Sequence, residues 1–246
     1  SGRAAVLKDG RTGRFGWKAQ TAHLDDFVLT ACAVELGLNV PDHHQAGLPH
    51  KPDYKPAGLD LNSEECRALV DFVAALPAPK QRPLADETDT EFVGAGQKLF
   101  AKIGCADCHV PDVGKAEGIY SDLLLHDMGP DLGDSGSSYG IFVPDSSPEG
   151  ELAPAGDLVK NADGSSAAKA RTIGATRQEW RTPPLWGVRD SAPYLHDGRA
   201  ETLDQAIAFH GGEAQRSTTA YFSLSSQERF QLTTFLKSLV APDMQP

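Results

Sequence analysis

The sequence predicts a mainly α-helical chain in which long loops join the helices. Three segments, residues 63–76, 90–103 and 225–239, place apolar residues on one helical face. The chain shows no alternating strand pattern of any length. Its 24 glycines and 17 prolines among 246 residues predict many turns and long connections. This length suits one large or two small domains.

The first predicted helix covers residues 63–76, with the sequence SEECRALVDFVAAL. Asn62 or Ser63 can cap its first turn, and Pro77 and Pro79 end it. The second predicted helix, residues 90–103, runs directly into Gly104. The third, residues 225–239, begins with a serine and a glutamate at the spacing of a capping box.

The first and third helices can be aligned without a gap, which predicts an internal duplication. The matched apolar pairs are all separated by 163 positions: Leu69 and Leu232, Phe72 and Phe235, Val73 and Leu236, Leu76 and Leu239. Upstream, Thr21-Ala-His-Leu-Asp matches Thr202-Leu-Asp around a shared leucine, at a separation of 179. The change of separation indicates a loop of variable length inside the repeat.

One short motif carries the chemistry: Cys105-Ala-Asp-Cys108-His109. A zinc knuckle needs a second Cys/His pair at ligand distance, and the sequence has no other close pair of cysteines. A redox dithiol of the thioredoxin type follows a strand, whereas this motif follows a predicted helix. The spacing suits haem c, with Cys105 and Cys108 as the thioether attachments and His109 as the proximal iron ligand.

The motif and the duplication together predict two domains. Residues 88–246 are expected to form a c-type haem domain with a long loop insertion at 131–180, which would cover the haem or form a partner surface. Residues 1–80 are expected to be the C-terminal remainder of a first cytochrome c-like domain that lacks its CxxCH. We expect the missing half of that domain to precede Ser1.

The sixth iron ligand decides whether the iron transfers electrons or binds small molecules. The downstream candidates are His126, Met128, His196, His210 and Met244. The residues alone do not choose among them.

Residues 181–213, RTPPLWGVRDSAPYLHDGRAETLDQAIAFHGGE, resemble the C-terminal haem domain of the bacterial di-haem cytochrome c peroxidase superfamily. The sequence is most similar to the branch of di-haem thiol oxidoreductase-like proteins. That branch also has the patterns GRFGWKA (13–19), YSDLLLHDMGP (120–130) and HGGEA (210–214). The resemblance covers nearly the whole chain.

The resemblance implies a position for the sixth ligand. In the superfamily it lies fourteen residues after the histidine of a PY-x-H element, and counting from His196 reaches His210. A bis-histidine haem held by His109 and His210 is therefore expected, with Met128 or His126 as the fallback. His196 and Arg199 are expected to line the haem edge, with Arg199 pairing with a propionate.

The resemblance also implies roles for four further residues. Trp17 matches a tryptophan that lies between two haems and is expected to be an electron bridge. Glu35 lies near the place of a catalytic acid–base glutamate, although FGWKAQ departs there from the usual FWDGR. Ser191 and Pro193 match backbone carbonyl ligands of a calcium ion. The acidic, glycine-rich segment 127–136 is an alternative calcium loop.

The composition limits the partners. A formal charge of −11 disfavours nucleic acid and anionic lipid and favours a basic redox partner protein. No apolar run approaches the ~20 residues of a membrane-spanning helix. The resemblance implies a periplasmic or otherwise exported protein, in which Cys32 and Cys66 would form a disulfide or remain two buried thiols.

These observations predict an electron-transfer haem module that is part of a larger di-haem oxidoreductase. One alternative is a di-haem peroxidase-type enzyme that reduces hydrogen peroxide. The other is a domain in which the haem only holds the fold.

Overall fold

The fold is described from a computed structural model. The structure describes residues 2–43, 50–51, 53–82, 86–133, 137–138, 141–142, 152–153, 158–160, 166–168, 171–172 and 174–241. Met244 lies outside these ranges. The chain divides into two compact units. The motif unit consists of Ser1–Arg3, Pro77–Gly133 and Gln178–Pro246, and the N-terminal unit consists of Ala4–Leu76 and Asp134–Arg177.

Six α-helices occur in the described residues: α1 Leu24–Val34, α2 Ser63–Ala74, α3 Glu87–Lys102, α4 Leu203–Ala208, α5 Gln215–Phe222 and α6 Ser226–Ser238. The described strands are short: β1 Ala5–Val6, β2 Thr12–Gly13, β3 Lys80–Gln81, β4 Leu125–Asp127, β5 Ser137–Ser138, β6 Ile141–Phe142, β7 Leu152–Ala153, β8 Leu158–Lys160, β9 Ser166–Ala168, β10 Arg171–Thr172, β11 Glu179–Arg181 and β12 Leu239–Val240.

The structure is thus a mixture of helices and short antiparallel strand pairs. The three predicted helices are present as α2, α3 and α6. The strand pairs were not predicted, because two or three residues are too few to show alternation. No helix in the described part of the chain is long and apolar enough to cross a membrane.

Helices α3 and α6 form the centre of the motif unit. They cross at Gly96, where an added Cβ would lie 2.0 Å from the carbonyl oxygen of Gln231. The ring of Phe235 packs edge-on against Phe100 and Tyr120, with centroid distances of 5.4 and 5.5 Å. This crossing holds the C-terminal end of α3, and therefore the start of the motif, against the core.

The strand pair β4–β11 joins the two ends of the segment at 131–180. Trp180 of β11 pairs with His126 of β4. The indole Nε1–H of Trp180 donates a 2.9 Å hydrogen bond to the carbonyl oxygen of Leu132. Both ends of this segment are therefore anchored in the motif unit.

The N-terminal unit has a small core between α1 and α2. Its buried members are Cys32, Val40 and Cys66. Both cysteines are free thiols, and burial together with the neighbouring Cys32 raises the pKa of Cys66. In the same unit, the buried Lys18 ammonium donates to the carbonyl oxygens of Thr176 and Arg177 at 3.0 and 2.9 Å.

Local structure repeats at the two separations that the sequence indicated. A β-bridge between Phe15 and Thr21 corresponds to one between Tyr194 and Ala200, both shifted by 179. Helices α1 and α4 both begin at the shared leucine. The N-caps of α2 and α6 are Asn62 and Ser225, 163 apart, and each forms a complete capping box.

The equivalent apolar faces of α2 and α6 differ in burial, which yields a matched prediction. Phe235 is 0% exposed and its counterpart Phe72 is 59% exposed. We expect Phe235→Ala to reduce the free energy of unfolding by about 3–5 kcal/mol. Phe72→Ala should change it by about 0.5 kcal/mol or less. Urea unfolding followed by circular dichroism measures both, and equal losses would contradict the packing described here.

Candidate functional site

The motif begins directly after α3. The helix ends at Lys102, and Gly104 turns the chain with φ +91°, a backbone region that favours glycine. A short 3-10 helix, Cys105–Asp107, follows and brings both cysteines onto one turn. Two thiols on one turn can reach the two vinyl groups of one porphyrin.

The protonation of Cys105 argues against a redox dithiol. Burial raises the pKa of this thiol to about 12. Reactive cysteines have a lowered pKa, because the thiolate is the nucleophile. A half-buried neutral thiol suits a cysteine that becomes a thioether.

His109 is oriented by the backbone. Its Nδ1–H donates a 2.9 Å hydrogen bond to the carbonyl oxygen of Tyr120, which leaves Nε2 for a metal ion. Burial, with a smaller contribution from the nearby His210, lowers the pKa of His109 to about 4. The ring is therefore neutral at physiological pH, the form in which imidazole binds metals.

His210 has the same arrangement just after α4. Its Nδ1–H donates a 2.7 Å hydrogen bond to the carbonyl oxygen of Ala206, and burial lowers its pKa. The Thr218 hydroxyl donates to the carbonyl oxygen of His210 at 2.6 Å. Metal-binding histidines commonly donate their second nitrogen to a carbonyl in this way.

His126 has a different environment, with each ring nitrogen bonded to a carboxylate. Nε2–H donates to Oδ2 of Asp122 at 2.9 Å, and Nδ1–H donates to Oε2 of Glu213 at 3.1 Å. The bond to Asp122, and then contact with Cys108, raise the pKa of His126 to about 10 against the opposing effect of burial. An imidazolium whose two N–H groups both donate hydrogen bonds has no lone pair left for iron.

Three metal-binding atoms also lie together beside the motif. One ligand atom from each of Cys108, Asp122 and His126 lies within 4.8 Å of the others. A structural zinc site takes four ligands and would require the Cys108 thiolate. This trio and a thioether at Cys108 therefore exclude each other.

The environment of His126 predicts a pH dependence of stability. Its folded-state pKa of about 10 exceeds its ordinary value of 6.5, so it stabilises the fold fully below pH 6.5. This contribution should be lost as the pH rises from 6.5 through 10. Urea midpoints between pH 6 and 10 should fall for the wild type more steeply than for His126→Gln. Parallel curves would contradict the ionic environment.

His196 and Arg199 lie on the turn before α4. The ring of His196 stacks on Trp180, with a centroid distance of 3.8 Å and an interplanar angle of 21°. The Arg199 guanidinium pairs with the Asp197 carboxylate and lies 5.6 Å from the centroid of the Phe209 ring. Arg199 is therefore placed beside the residue that precedes His210.

Three further candidates, Met128, Ser191 and Pro193, belong to the same unit. Met128 donates its backbone N–H to the carbonyl oxygen of Gln178. Ser191 and Pro193 are exposed and flank a turn with a cis Ala192–Pro193 bond.

Trp17 and Glu35 belong to the N-terminal unit. Trp17 lies half-buried in the turn between β2 and α1, at the position that corresponds to His196 under the separation of 179. Glu35 is exposed at the C-terminal end of α1.

The side chain of Trp186 offers a further feature that fits a bound haem. The buried Nε1–H of Trp186 finds no acceptor among the described residues. Trp186 lines a cavity together with Tyr120, whose carbonyl orients His109. An unsatisfied buried donor costs free energy, and a propionate oxygen is an acceptor that a bound haem would supply.

Comparisons with known proteins find similarity to haem oxidoreductases and peroxidases. Residues 149–239 match a family described as "Di-haem oxidoreductase, putative peroxidase". The chain is 28% identical over 163 residues to methylamine utilization protein MauG of Methylorubrum extorquens, covering 62% of this chain and 37% of the relative. It is 34% identical over 83 residues to cytochrome-c peroxidase IdrP2 of Denitromonas iodatirespirans, covering 29% and 23%. The chain is thus similar to proteins of the di-haem cytochrome c peroxidase-like superfamily.

This similarity supports haem as the cofactor and a haem-based redox role. The chain spans less than half the length of the curated relatives it matches. A solved structure titled as a MauG-like protein associated with microbial copper homeostasis aligns with a TM-score of 0.47 at 17% identity, over 98% of this chain and 78% of that one.

Sequence reasoning missed the cluster around His126. Asp122 and His126 lie four residues apart, but Glu213 is 87 positions from His126. The patterns YSDLLLHDMGP and HGGEA contain all three residues, so their joint presence was the signal. The sequence alone did not indicate that these two patterns are in contact in the folded chain.

Proposed function

We propose that the chain is a periplasmic c-type cytochrome module that carries one covalent haem and transfers electrons within a larger di-haem oxidoreductase. The observation that carries this proposal is the matched orientation of His109 and His210. Each imidazole bonds a backbone carbonyl through Nδ1 and keeps Nε2 for iron. Two strong axial ligands are typical of an electron-transfer haem.

The residues have separate roles in this proposal. Cys105 and Cys108 would attach the porphyrin, and His109 and His210 would be the axial ligands. The haem, when bound, supplies a one-electron couple. The chain keeps both imidazoles neutral and fixes the ring orientations through the carbonyls of Tyr120 and Ala206.

Further residues complete the proposed surroundings of the haem. His196 and Arg199 would line its edge, next to Trp180 and Phe209. A calcium ion bound by the carbonyls of Ser191 and Pro193 is proposed from the resemblance alone. The excess of acidic residues favours a basic redox partner.

The N-terminal unit is proposed to be the remainder of a first cytochrome c-like domain. Its helix α2 has the capping box of α6 and leaves Phe72 and Leu76 exposed, whereas their counterparts Phe235 and Leu239 are buried. A helix equivalent to α3 would cover that face. In the full protein, such a helix would lead into a second haem motif.

A peroxidase-type activity is the second candidate for the full protein. Counting fourteen residues from Trp17, as from His196, reaches Ala31, whose side chain cannot bind iron. A haem in the first domain would then lack the ligand that His210 supplies in the second. An open position at iron permits peroxide to bind. Glu35, four residues further on, would be the acid–base group, and Trp17 would be the electron bridge.

The proposal is tested on the chain expressed together with cytochrome c maturation enzymes. Mass spectrometry should find the mass of one haem added covalently, and Cys105→Ala/Cys108→Ala should carry none. The absorption spectrum should be low-spin and unchanged by carbon monoxide or peroxide. A high-spin spectrum that responds to peroxide would instead support a peroxidatic iron, and a zinc adduct without haem would refute the proposal.

A further inference from the structure

The loop that follows His210 packs tightly against the strand after the motif. An added Cβ at Gly212 would lie 2.2 Å from the carbonyl oxygen of Asp127, and one at Gly211 would lie 2.9 Å from that of Met128. Only glycine permits this approach of the two backbones. The segments Leu125–Asp127 and Gly212–Ala214 therefore behave as one packed element beside His210.

His126 connects the same two segments through its side chain. It lies on β4 and is 5% exposed. Its Nδ1–H donates to Glu213, which is three residues after His210, and its Nε2–H donates to Asp122. Hydrogen bonds between charged groups are about twice as strong as neutral ones.

Asp122 extends the connection to the motif itself. Its backbone N–H donates a 2.9 Å hydrogen bond to the carbonyl oxygen of Cys108. A continuous path thus runs from Cys108 through Asp122 and His126 to Glu213. The path begins one residue before His109 and ends three residues after His210.

We infer that Asp122, His126 and Glu213 form an ionic clamp that holds the His210 loop at a fixed distance from the motif. His126 and Glu213 are positioning residues for the sixth ligand, and they do not touch the iron. The inference rests on the proposed bis-histidine haem. The clamp limits how readily a competing ligand can displace His210, because the loop must move for Nε2 to leave the iron.

The test measures displacement of His210 by carbon monoxide in the reduced, haem-bearing chain. We expect Glu213→Ala and His126→Gln to bind carbon monoxide at least about tenfold faster than the wild type, which corresponds to about 1.4 kcal/mol. Glu213→Gln should give an intermediate rate, because an amide oxygen still accepts the hydrogen bond without its charge. Glu201→Gln, an exposed glutamate two residues before α4, is the matched control and should keep the wild-type rate.

The outcomes separate the clamp from the proposed haem ligation. A wild-type haem that is high-spin, or unaffected by His210→Ala, would refute the axial assignment itself. A low-spin wild type that responds to His210→Ala, with wild-type rates in both clamp variants, would refute the clamp alone. If Glu213→Ala does not fold, Glu213→Gln and His126→Gln decide the question by the same rates, with circular dichroism confirming their native helix content.

Discussion

Replacing His210 by alanine should convert a low-spin haem into a high-spin haem that binds carbon monoxide and peroxide. His210 is oriented by its bond to the Ala206 carbonyl, and burial keeps it neutral. His126 is another candidate for the sixth ligand, but both of its ring nitrogens are hydrogen-bonded to carboxylates. His126 therefore lacks the free ring nitrogen with which His210 would bind iron.

The change should be complete rather than partial, because the alanine side chain offers no atom that could bind iron. Absorption and electron paramagnetic resonance spectra of the oxidised protein measure it. His43→Ala is the matched control, since His43 also bonds a backbone carbonyl but belongs to the N-terminal unit. An unchanged low-spin spectrum in His210→Ala would show that another residue is the ligand.

Replacing Gly96 by alanine should destabilise the motif unit by about 3 kcal/mol or more. The new methyl group would lie 2.0 Å from the carbonyl oxygen of Gln231 and 2.9 Å from Cβ of Phe235. Both neighbours are held by α6, so α3 must move away from it. The core around Phe100 and Phe235 would open, and the haem motif at the end of α3 would lose its support.

Gly94 supplies the control on the same helix. An added Cβ there meets nothing within 4 Å, so Gly94→Ala should stabilise α3 by about 0.5–1 kcal/mol through reduced backbone entropy. Denaturant unfolding of the two variants therefore gives changes of opposite sign. If both alanines stabilise the protein, the close crossing of α3 and α6 does not exist in solution.

Three of the six described helices, α2, α3 and α6, and the repeat could be predicted from the sequence to within a few residues. Helix α6 begins at the capping box of Ser225 and Glu228, and α2 begins at the one formed by Asn62 and Glu65. Such caps are local, because their partners lie three residues apart. Helix α3 was placed three residues too late, since its N-cap is Asp86 within a polar linker without apolar spacing.

The predicted haem ligands remain predictions, but the structure adds observations that bear on them. From the sequence, His210 was predicted as the sixth ligand by counting fourteen residues from His196. In the structure, His210 is close enough to His109 to lower the pKa of His109. Such a meeting of residues a hundred positions apart has no local signal. The burial that separates neutral His109 from cationic His126 likewise arises only when the chain is packed.

The sequence by itself determined what depends on neighbouring residues: the starts of α2 and α6, the CxxC spacing of Cys105 and Cys108, the histidine that follows them, and the internal repeat. The tertiary structure decided what depends on distant residues. It joined Glu213 to His126, closed α3 onto α6 at Gly96, and left Phe72 exposed while burying Phe235. The physical reason is that burial and charge pairing act between surfaces, and surfaces exist only after the chain has folded.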